Sequence, residues 1–197
     1  MSGDDSMLAL AALVPVGARV LDLGCGDGRF LAHLQNTRQC HGYGVEIDDS
    51  KVAACIARGV NVLQLNLDEG LQMFEDQSFD VVLQLDTLQH LRNAEVMLRE
   101  TARVGRIGIV SFPNFAHWPN RLQVLLGRMP VTKRLPYQWY NTPNIHLCTV
   151  QDFETHCRKS NIRILERQVI NRRHRSGLLA RLWPNLFGEI AIYRVTV

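Results

Sequence analysis

The sequence predicts an α/β fold in which helices cover both faces of a mostly parallel sheet. Short apolar strands alternate with helical stretches through Val110, which is the order that a parallel sheet requires. Two of the strands, at residues 81–83 and 107–110, are nearly continuous apolar runs, which is typical of strands buried on both faces. The chain has 197 residues, 46% of them hydrophobic, and can bury one sizeable core, so we expect a single domain over residues 1–197.

Seven strands are predicted from these patterns. Short strand-like runs, of which the first is rich in leucine and β-branched residues, give the first five, and two further runs after residue 160 complete the sheet. The strands are expected at residues 19–23, 41–46, 61–65, 79–83, 106–112, 163–170 and 189–197.

Helices are expected between these strands, and capping side chains indicate where several of them begin. The first helix includes residues 30–34 and directly follows a run of glycines. Asp49 and Ser50 are expected to cap the second helix. Thr149 with Asp152 resembles a capping box, so another helix should begin there.

Residues 113–149 interrupt the alternation of strands and helices. They contain five prolines and several aromatic residues. A segment of this length between sheet elements is usually functional, so we expect an insert after the fifth strand that serves as a lid or as a binding surface. Pro119 suits the first turn of a helix, which predicts a short helix over residues 119–126.

A strongly apolar stretch at residues 177–187 lies between the last two strands. We expect it to pack into the core beneath the final hairpin, and the alternative is a groove for a partner. The basic run before it, residues 172–175, is predicted to be a solvated loop.

Composition and charge narrow the class of protein. The formal charge of +3 is too small to indicate a nucleic-acid partner, and basic and aromatic residues are not interleaved as in RNA-binding motifs. No run of about 18 apolar residues predicts a membrane span, and the acidic N-terminus lacks the basic region of a signal peptide, so we expect a cytoplasmic protein without a membrane partner. The five cysteines form no CxxC pair, which predicts reduced thiols and no metal site.

The turn after the first strand carries the most informative motif. Gly24, Gly26 and Gly28 alternate there, and Asp22 precedes them. Glycines let the backbone turn tightly and approach a ligand, and the start of the following helix attracts anionic groups. A dinucleotide site would need its third glycine at position 29, where this chain has Arg29.

Glu46, at the end of the second strand, supplies the second half of the site. It follows the first glycine by roughly 20 residues, a spacing at which an acid accepts hydrogen bonds from both hydroxyls of a ribose. The glycine loop and this acid together resemble class I S-adenosylmethionine-dependent methyltransferases, whose first motif reads acid-x-Gly-x-Gly-x-Gly. The resemblance implies a Rossmann-like fold with a seven-stranded sheet, an antiparallel last strand, and S-adenosylmethionine or S-adenosylhomocysteine as cofactor.

The resemblance also assigns parts of the cofactor to residues. The glycine loop with Asp22 surrounds the methionine portion, Glu46 binds the ribose, and Ile47 covers one face of the adenine. Asn66 stands where an acid usually meets the adenine amino group, and Asp68 is the alternative. The implied cofactor-binding residues are Asp22, Gly24, Cys25, Gly26, Gly28, Glu46, Ile47, Asn66, Leu67, Asp68 and Leu85.

Catalytic residues have a weaker signature in the sequence. Methyl transfer from a sulfonium depends mainly on positioning and needs at most a modest base. No Asn-Pro-Pro-Tyr tetrad and no Pro-Cys nucleophile follows the fourth strand, which argues against methylation of nucleic-acid bases. His90 resembles the histidine that many small-molecule methyltransferases carry after this strand, and Tyr140 in the insert is a second candidate.

Longer strings resemble one family, the methionine-biosynthesis protein MetW. The matching strings are residues 20–28, 42–48, 67–71, 110–115, 127–133 and 142–149. The strings in the insert are the specific part, because ordinary methyltransferases lack them. The resemblance implies a protein that binds S-adenosylmethionine and supports homoserine O-acyltransferase as its partner. The alternative is an active methyltransferase that acts on a small molecule.

Overall fold

The computed structural model describes residues 3–132, 134–170 and 178–196. Seven of its elements are strands of one sheet. The strands are β1 (Arg19–Leu23), β2 (His41–Glu46), β3 (Val62–Gln64), β4 (Phe79–Leu85), β5 (Gly105–Pro113), β6 (Arg163–Ile170) and β7 (Ile190–Thr196). The helices are α1 (Gly3–Ala11), α2 (Arg29–Arg38), α3 (Asp49–Ala57), α4 (Ala94–Val104), α5 (Trp118–Leu125), α6 (Val150–Lys159), α7 (Leu178–Leu182) and α8 (Pro184–Phe187). Short 3₁₀ turns at Leu67–Glu69 and Leu88–His90 follow β3 and β4.

The strands lie in the order β3-β2-β1-β4-β5-β7-β6. Strands β1 to β5 run parallel, and β7 lies antiparallel between β5 and β6. This confirms the predicted seven-stranded, mostly parallel sheet with an antiparallel last strand. Strands β2 and β3 lie on one side of β1, and the chain then crosses to the other side of β1 to form β4 and β5. The strand order therefore reverses between β1 and β4. Ligands of open α/β sheets bind at the carboxyl ends of the strands beside such a reversal.

Alternate residues of the central strands enter separate apolar clusters. On β4, Val81 and Leu83 pack in the cluster that contains Leu31 of α2. Val82, between them, packs in the cluster that contains Met97 of α4. Because neighbouring side chains of a strand point to opposite faces, both faces of this strand are covered. This burial explains why its sequence is almost continuously apolar.

The expectation for the apolar stretch before β7 is wrong. Leu178, Leu179, Leu182 and Trp183 are all more than half exposed, and Ala180 is the buried residue of α7. A run in which most neighbouring positions are apolar does not specify which face packs. The short helix α7 packs inwards through its alanine, which leaves the larger side chains outside.

Helix starts agree closely with the predicted caps. The predicted cap of α6 at Thr149 is confirmed, because Oγ1 of Thr149 accepts a hydrogen bond of 3.1 Å from the N–H of Asp152, whose carboxylate accepts from the Thr149 hydroxyl. The cap of α3 is Asp48 rather than the predicted Asp49, since the Asp48 carboxylate accepts hydrogen bonds from two N–H groups of the first turn. The basic run at residues 172–175 lies outside the described residues.

The insert after β5 consists of α5 and a series of turns, and its two ends meet at one buried side chain. Asn114 is 1% exposed. Its Nδ2 donates hydrogen bonds to the carbonyl oxygens of Gly188 at 2.8 Å and Asn185 at 3.1 Å. Its Oδ1 accepts from the N–H groups of Ala116 at 3.1 Å and Val150 at 3.4 Å. Asn114 therefore joins both ends of the insert to the turn before β7.

Candidate functional site

A cavity of about 620 Å³ opens at the carboxyl ends of β1 to β4, beside the reversal in strand order. Its volume is within the range of small-molecule sites. The glycine loop, the ends of β2 to β4, the two 3₁₀ turns and the insert contribute to its wall. The lining residues are Gly24, Gly26, Val45, Glu46, Ile47, Lys51, Leu65, Asn66, Leu67, Asp68, Leu85, Asp86, Thr87, His90, Leu91, Tyr137 and Pro143.

The glycine loop adopts a backbone conformation that favours glycine. Gly24, Gly26 and Gly28 have φ values of 74°, 59° and 74°. A Cβ added at Gly24 would lie 2.7 Å from Oγ1 of Thr87, and one at Gly28 would lie 2.9 Å from Sγ of Cys55. A Cβ at Gly26 would meet nothing within 4 Å. The loop is therefore closely packed at both ends and open to the cavity at its centre.

Backbone and thiol contacts hold the loop in place. The N–H groups of Gly24 and Cys25 donate to the carbonyl oxygen of Val45 at 2.8 and 3.0 Å. Sγ of Cys25 lies 3.8 Å from Sγ of Cys55, whose thiol donates to the carbonyl oxygen of Gly26 at 3.2 Å. Burial raises the pKa of both thiols. Cys25 thus links the loop to α3, and its side chain does not line the cavity.

Glu46 connects the glycine loop to the end of β2. The residue is 6% exposed. Its Oε2 accepts a hydrogen bond of 2.9 Å from the N–H of Gly26. Its Oε1 accepts from the N–H groups of Ile47 at 2.9 Å and Asp48 at 3.1 Å. A carboxylate offers about four acceptor positions, so these three hydrogen bonds leave capacity for a hydroxyl donor from the cavity.

Asp22 lies in β1 behind the glycine loop and is 3% exposed. Burial, and then the nearby charge of Glu46, raise the pKa of the Asp22 carboxyl from 3.8 to about 7. Two carboxylates close together in a protein interior repel each other, and a cation beside them lowers the free energy of both ionised groups. This part of the site therefore favours a positively charged group near the loop.

Two polar side chains stand at the end of β3. Oδ1 of Asn66 accepts a hydrogen bond of 3.1 Å from the N–H of Asp68, and its Nδ2 donates to Glu69 at 3.4 Å. Oδ1 of Asp68 accepts from the N–H groups of Arg92 at 2.8 Å and Asn93 at 3.4 Å. Both side chains line the cavity. Their hydrogen bonds also fix the turns on which they stand.

Of the two candidate catalytic residues, only His90 reaches the cavity. Its Nδ1 lies 3.2 Å from the carbonyl oxygen of Pro143. Because a carbonyl can only accept, Nδ1 is the donor in this contact, and Nε2 is the ring nitrogen left for other partners. Tyr140 is 69% exposed and packs edge-on against Trp139, with ring centroids 5.6 Å apart. The tyrosine that lines the cavity is Tyr137.

The structure brings together most of the residues that the sequence assigns to the cofactor. Those that line the cavity are Gly24, Gly26, Glu46, Ile47, Asn66, Leu67, Asp68 and Leu85. Those that do not line it are Asp22, Cys25 and Gly28. Their roles toward a cofactor stay predictions.

Eight lining residues are missing from the sequence prediction. They are Val45, Lys51, Leu65, Asp86, Thr87, Leu91, Tyr137 and Pro143. A signal exists for two of them. Asp86 and Thr87 directly follow β4, and the argument that selects Glu46 from the end of β2 applies equally to polar residues there.

Comparison with known proteins identifies the family. Residues 4–195 match the model of a family described as methionine biosynthesis protein MetW. The chain belongs to the MetW family. A bifunctional methionine biosynthesis protein MetXA/MetW from Rhodopirellula baltica is 37% identical over 154 residues, which make up 73% of this chain and 25% of that protein. An ajmaline N-methyltransferase from Rauvolfia serpentina is 30% identical over 95 residues, 45% of this chain and 33% of that protein. The MetW-family chain thus aligns with a quarter to a third of the length of these two relatives.

The fold of this MetW-family chain is that of class I S-adenosylmethionine-dependent methyltransferases. A solved S-adenosylmethionine-dependent methyltransferase from Mesorhizobium loti matches it with a TM-score of 0.72 over 98% of each chain, at 17% identity. Similarity at this identity establishes the fold and not the activity. None of the helices in the described residues is long and apolar enough to cross a membrane. Over the same ranges, no three His, Cys, Asp or Glu side chains are grouped so that they could hold a metal ion.

Proposed function

We propose that this MetW-family protein binds S-adenosylmethionine or S-adenosylhomocysteine in the cavity and supports homoserine O-acyltransferase. The observation that carries the cofactor assignment is Glu46, a buried carboxylate that orders the glycine loop and keeps acceptor capacity at the cavity. A ribose hydroxyl would donate to it. The adenine would lie toward the end of β3 and the methionine portion at the glycine loop.

The charges at this edge of the sheet agree with the proposed cofactor. S-adenosylmethionine carries a positive ammonium group, and its sulfonium supplies an activated methyl group. Asp22 and Glu46 place two carboxylates at the glycine loop, where burial, and then the charge of Glu46, raise the pKa of Asp22. A cation bound there would relieve part of this cost. The same two carboxylates would repel a negatively charged phosphate, and a dinucleotide carries such phosphates.

Titration calorimetry tests the cofactor assignment. We expect saturable binding of S-adenosylmethionine and S-adenosylhomocysteine to the purified protein, and none of NAD⁺, which serves as the matched adenosine-containing control. Binding of all three compounds with similar affinity would contradict the assignment of the glycine loop. Binding of none of them would contradict the cofactor proposal altogether.

The acyltransferase part of the proposal rests on the family and on the insert. The relative from Rhodopirellula baltica combines MetXA and MetW in one polypeptide, which supports a shared task for the two parts. Residues 113–149 also expose many large apolar side chains, and contiguous apolar surface is typical of interaction sites. Those exposed by half or more are Trp118, Val124, Leu125, Leu126, Met129, Trp139, Tyr140 and Ile145.

The partner proposal is tested with the homoserine O-acyltransferase encoded in the same genome. We expect a stoichiometric amount of this protein to raise the acyl-transfer rate and to co-elute with the enzyme in size-exclusion chromatography. Leu125→Ser and Trp139→Ser, at positions 83% and 74% exposed, should weaken the complex. Ile56→Ser on α3, at a position 66% exposed, is the matched control and should leave the complex intact. No rise in rate and no complex would refute the proposal.

A second candidate function is methyl transfer to a small molecule. It is favoured by the position of His90 in the cavity and by the similarity to an N-methyltransferase. Nε2 of His90 could accept a proton from an attacking amine or phenol. An active enzyme would form S-adenosylhomocysteine when supplied with such acceptors, and His90→Asn would slow that formation. An activator of the acyltransferase would form none with or without the substitution.

A further inference from the structure

Three carboxylates line the cavity, and one of them differs from the others in its hydrogen bonds. Glu46 accepts from three backbone N–H groups and Asp68 from two. Asp86 accepts one hydrogen bond among the described residues, a long contact of 3.3 Å from the hydroxyl of Ser111. Its carboxylate therefore has the fewest protein partners of the three, and the residue is also the most exposed of them, so it is the most available to a ligand.

The backbone of Asp86 is held in a conformation that is uncommon for a residue with a side chain. Its φ is +52°. Its N–H donates to both the carbonyl oxygen and Oγ of Ser111, each at 3.1 Å. A left-handed non-glycine residue that its neighbours hold in place is typical of functional sites. Here the conformation directs the end of β4 toward the cavity.

The position of Asp86 follows from the order of the strands. If the cofactor lies as proposed, its adenine, ribose and methionine portions occupy the ends of β3, β2 and β1 in turn. Strand β4 is the next neighbour of β1, and Thr87 joins the two ends by donating to the carbonyl oxygen of Leu23 at 2.9 Å. Asp86, the residue before Thr87, is thus beside the part of the site where the sulfonium would lie.

We infer that Asp86 is the residue through which the cavity distinguishes the positively charged sulfonium of S-adenosylmethionine from the neutral thioether of S-adenosylhomocysteine. This inference rests on the proposed cofactor site and adds a specificity determinant to it. The two compounds share the adenosine and the amino-acid ends, so Glu46 and the glycine loop bind both alike. A carboxylate at the reacting end stabilises only the compound that has a charge there.

Other charged groups influence how readily the Asp86 carboxyl ionises. Asp86 is exposed to the open cavity, but the surrounding wall partly desolvates its carboxyl and raises the pKa, whereas the charge of Arg134, the Ser111 hydroxyl and the charge of His90 lower it. Arg134 belongs to the insert, and Lys51 is a further basic residue on the cavity wall. A sulfonium beside Asp86 would compete with Arg134 for the same carboxylate.

The test compares the affinity ratio of the two compounds in variants, measured by titration calorimetry. Asp86→Asn keeps the size of the side chain and suits the left-handed backbone, because asparagine adopts that region readily. We expect it to lower the preference for S-adenosylmethionine over S-adenosylhomocysteine by about tenfold, a typical effect of one charge contact in a partly solvated site. Glu75→Gln, in the loop before β4 at the opposite edge of the sheet, is the matched control and should leave the ratio unchanged.

A second variant tests the inference without altering β4. Arg134→Gln removes the competing positive charge and should raise the preference for S-adenosylmethionine by a few fold. Equal weakening of both compounds by Asp86→Asn would show that this residue contacts a group that they share, and would overturn the inference. An unchanged ratio in both variants would overturn it as well. Failure of the wild-type protein to bind either compound would instead refute the proposed cofactor site, and this inference with it.

Discussion

Replacing Asp22 by asparagine should stabilise the ligand-free protein at high pH. Burial and the charge of Glu46 raise the pKa of Asp22 from 3.8 to about 7 in the folded state. The folded protein therefore binds the Asp22 proton more tightly than the unfolded chain does. The resulting contribution to stability is fully present below about pH 4 and is lost as the pH rises through about 7. Asparagine cannot ionise, so the stability of the variant does not fall in this way as the pH rises.

The size of the effect follows from the same two values. A tenfold change in proton affinity corresponds to about 1.4 kcal/mol. Between pH 4.5 and pH 8 the wild-type protein should lose about 3 kcal/mol more free energy of unfolding than Asp22→Asn. Urea unfolding of both proteins at the two pH values measures this difference, because the remaining titratable groups are common to both. Glu75→Gln, which replaces an exposed carboxylate, should follow the wild-type profile.

Parallel pH profiles of the wild type and Asp22→Asn would refute the reasoning, since they would show that Asp22 ionises with its ordinary pKa in the folded protein. If the carboxylate serves to bind the cationic methionine portion, the same substitution should weaken S-adenosylmethionine binding at pH 8. A variant that is more stable yet binds less ligand would identify Asp22 as a residue kept for binding at the expense of stability.

Three further substitutions have defined outcomes. Asn114→Ala should lower the free energy of unfolding by about 2–4 kcal/mol in urea titrations, because it leaves several buried groups without partners, whereas the exposed Asn36→Ala should change it little. Gly24→Ala should be about 1–3 kcal/mol less stable than Gly59→Ala by the same measurement, since both positions have positive φ and only the first lacks room for a Cβ. Glu46→Gln should weaken S-adenosylmethionine binding at least about tenfold by calorimetry, because charge-assisted hydrogen bonds to the ribose are lost.

The features that the sequence predicts best are those with local signals. β1 is predicted to the residue, because its apolar run ends at the glycine loop. The helix cap at Thr149 is likewise a contact between residues close in sequence. The expected acid at the end of β2 lines the cavity, because strand ends are brought together by the parallel order of the sheet. In the first two cases residues close in sequence determine the outcome, and in the third the alternation of strands and helices predicts the sheet order that places Glu46.

The features that the sequence does not predict depend on contacts between distant segments. Tyr137 lines the cavity and Tyr140 does not, although both lie in the same aromatic run. The difference arises from the path of the insert, in which the carbonyl oxygen of Pro143 meets His90 at the end of β4. Helix α7 is another case. The alanine in its sequence is buried while its leucines are exposed, which depends on how closely the helix approaches the sheet.

Asn114 holds the two ends of the insert together, so the length of the insert can vary within the family without separating them. The N–H of Phe115 donates to the carbonyl oxygen of Cys148 at 2.9 Å, so the excursion leaves and rejoins the sheet at nearly the same place. Adding residues to a loop whose ends are already joined costs little free energy, about 0.6 kcal/mol for each doubling of its length. Evolution can therefore lengthen, shorten or exchange the outer part of this segment as a module. Such changes would alter what the protein contacts, and also the part of the cavity wall that the insert supplies, while the strands β1 to β4 keep their structure.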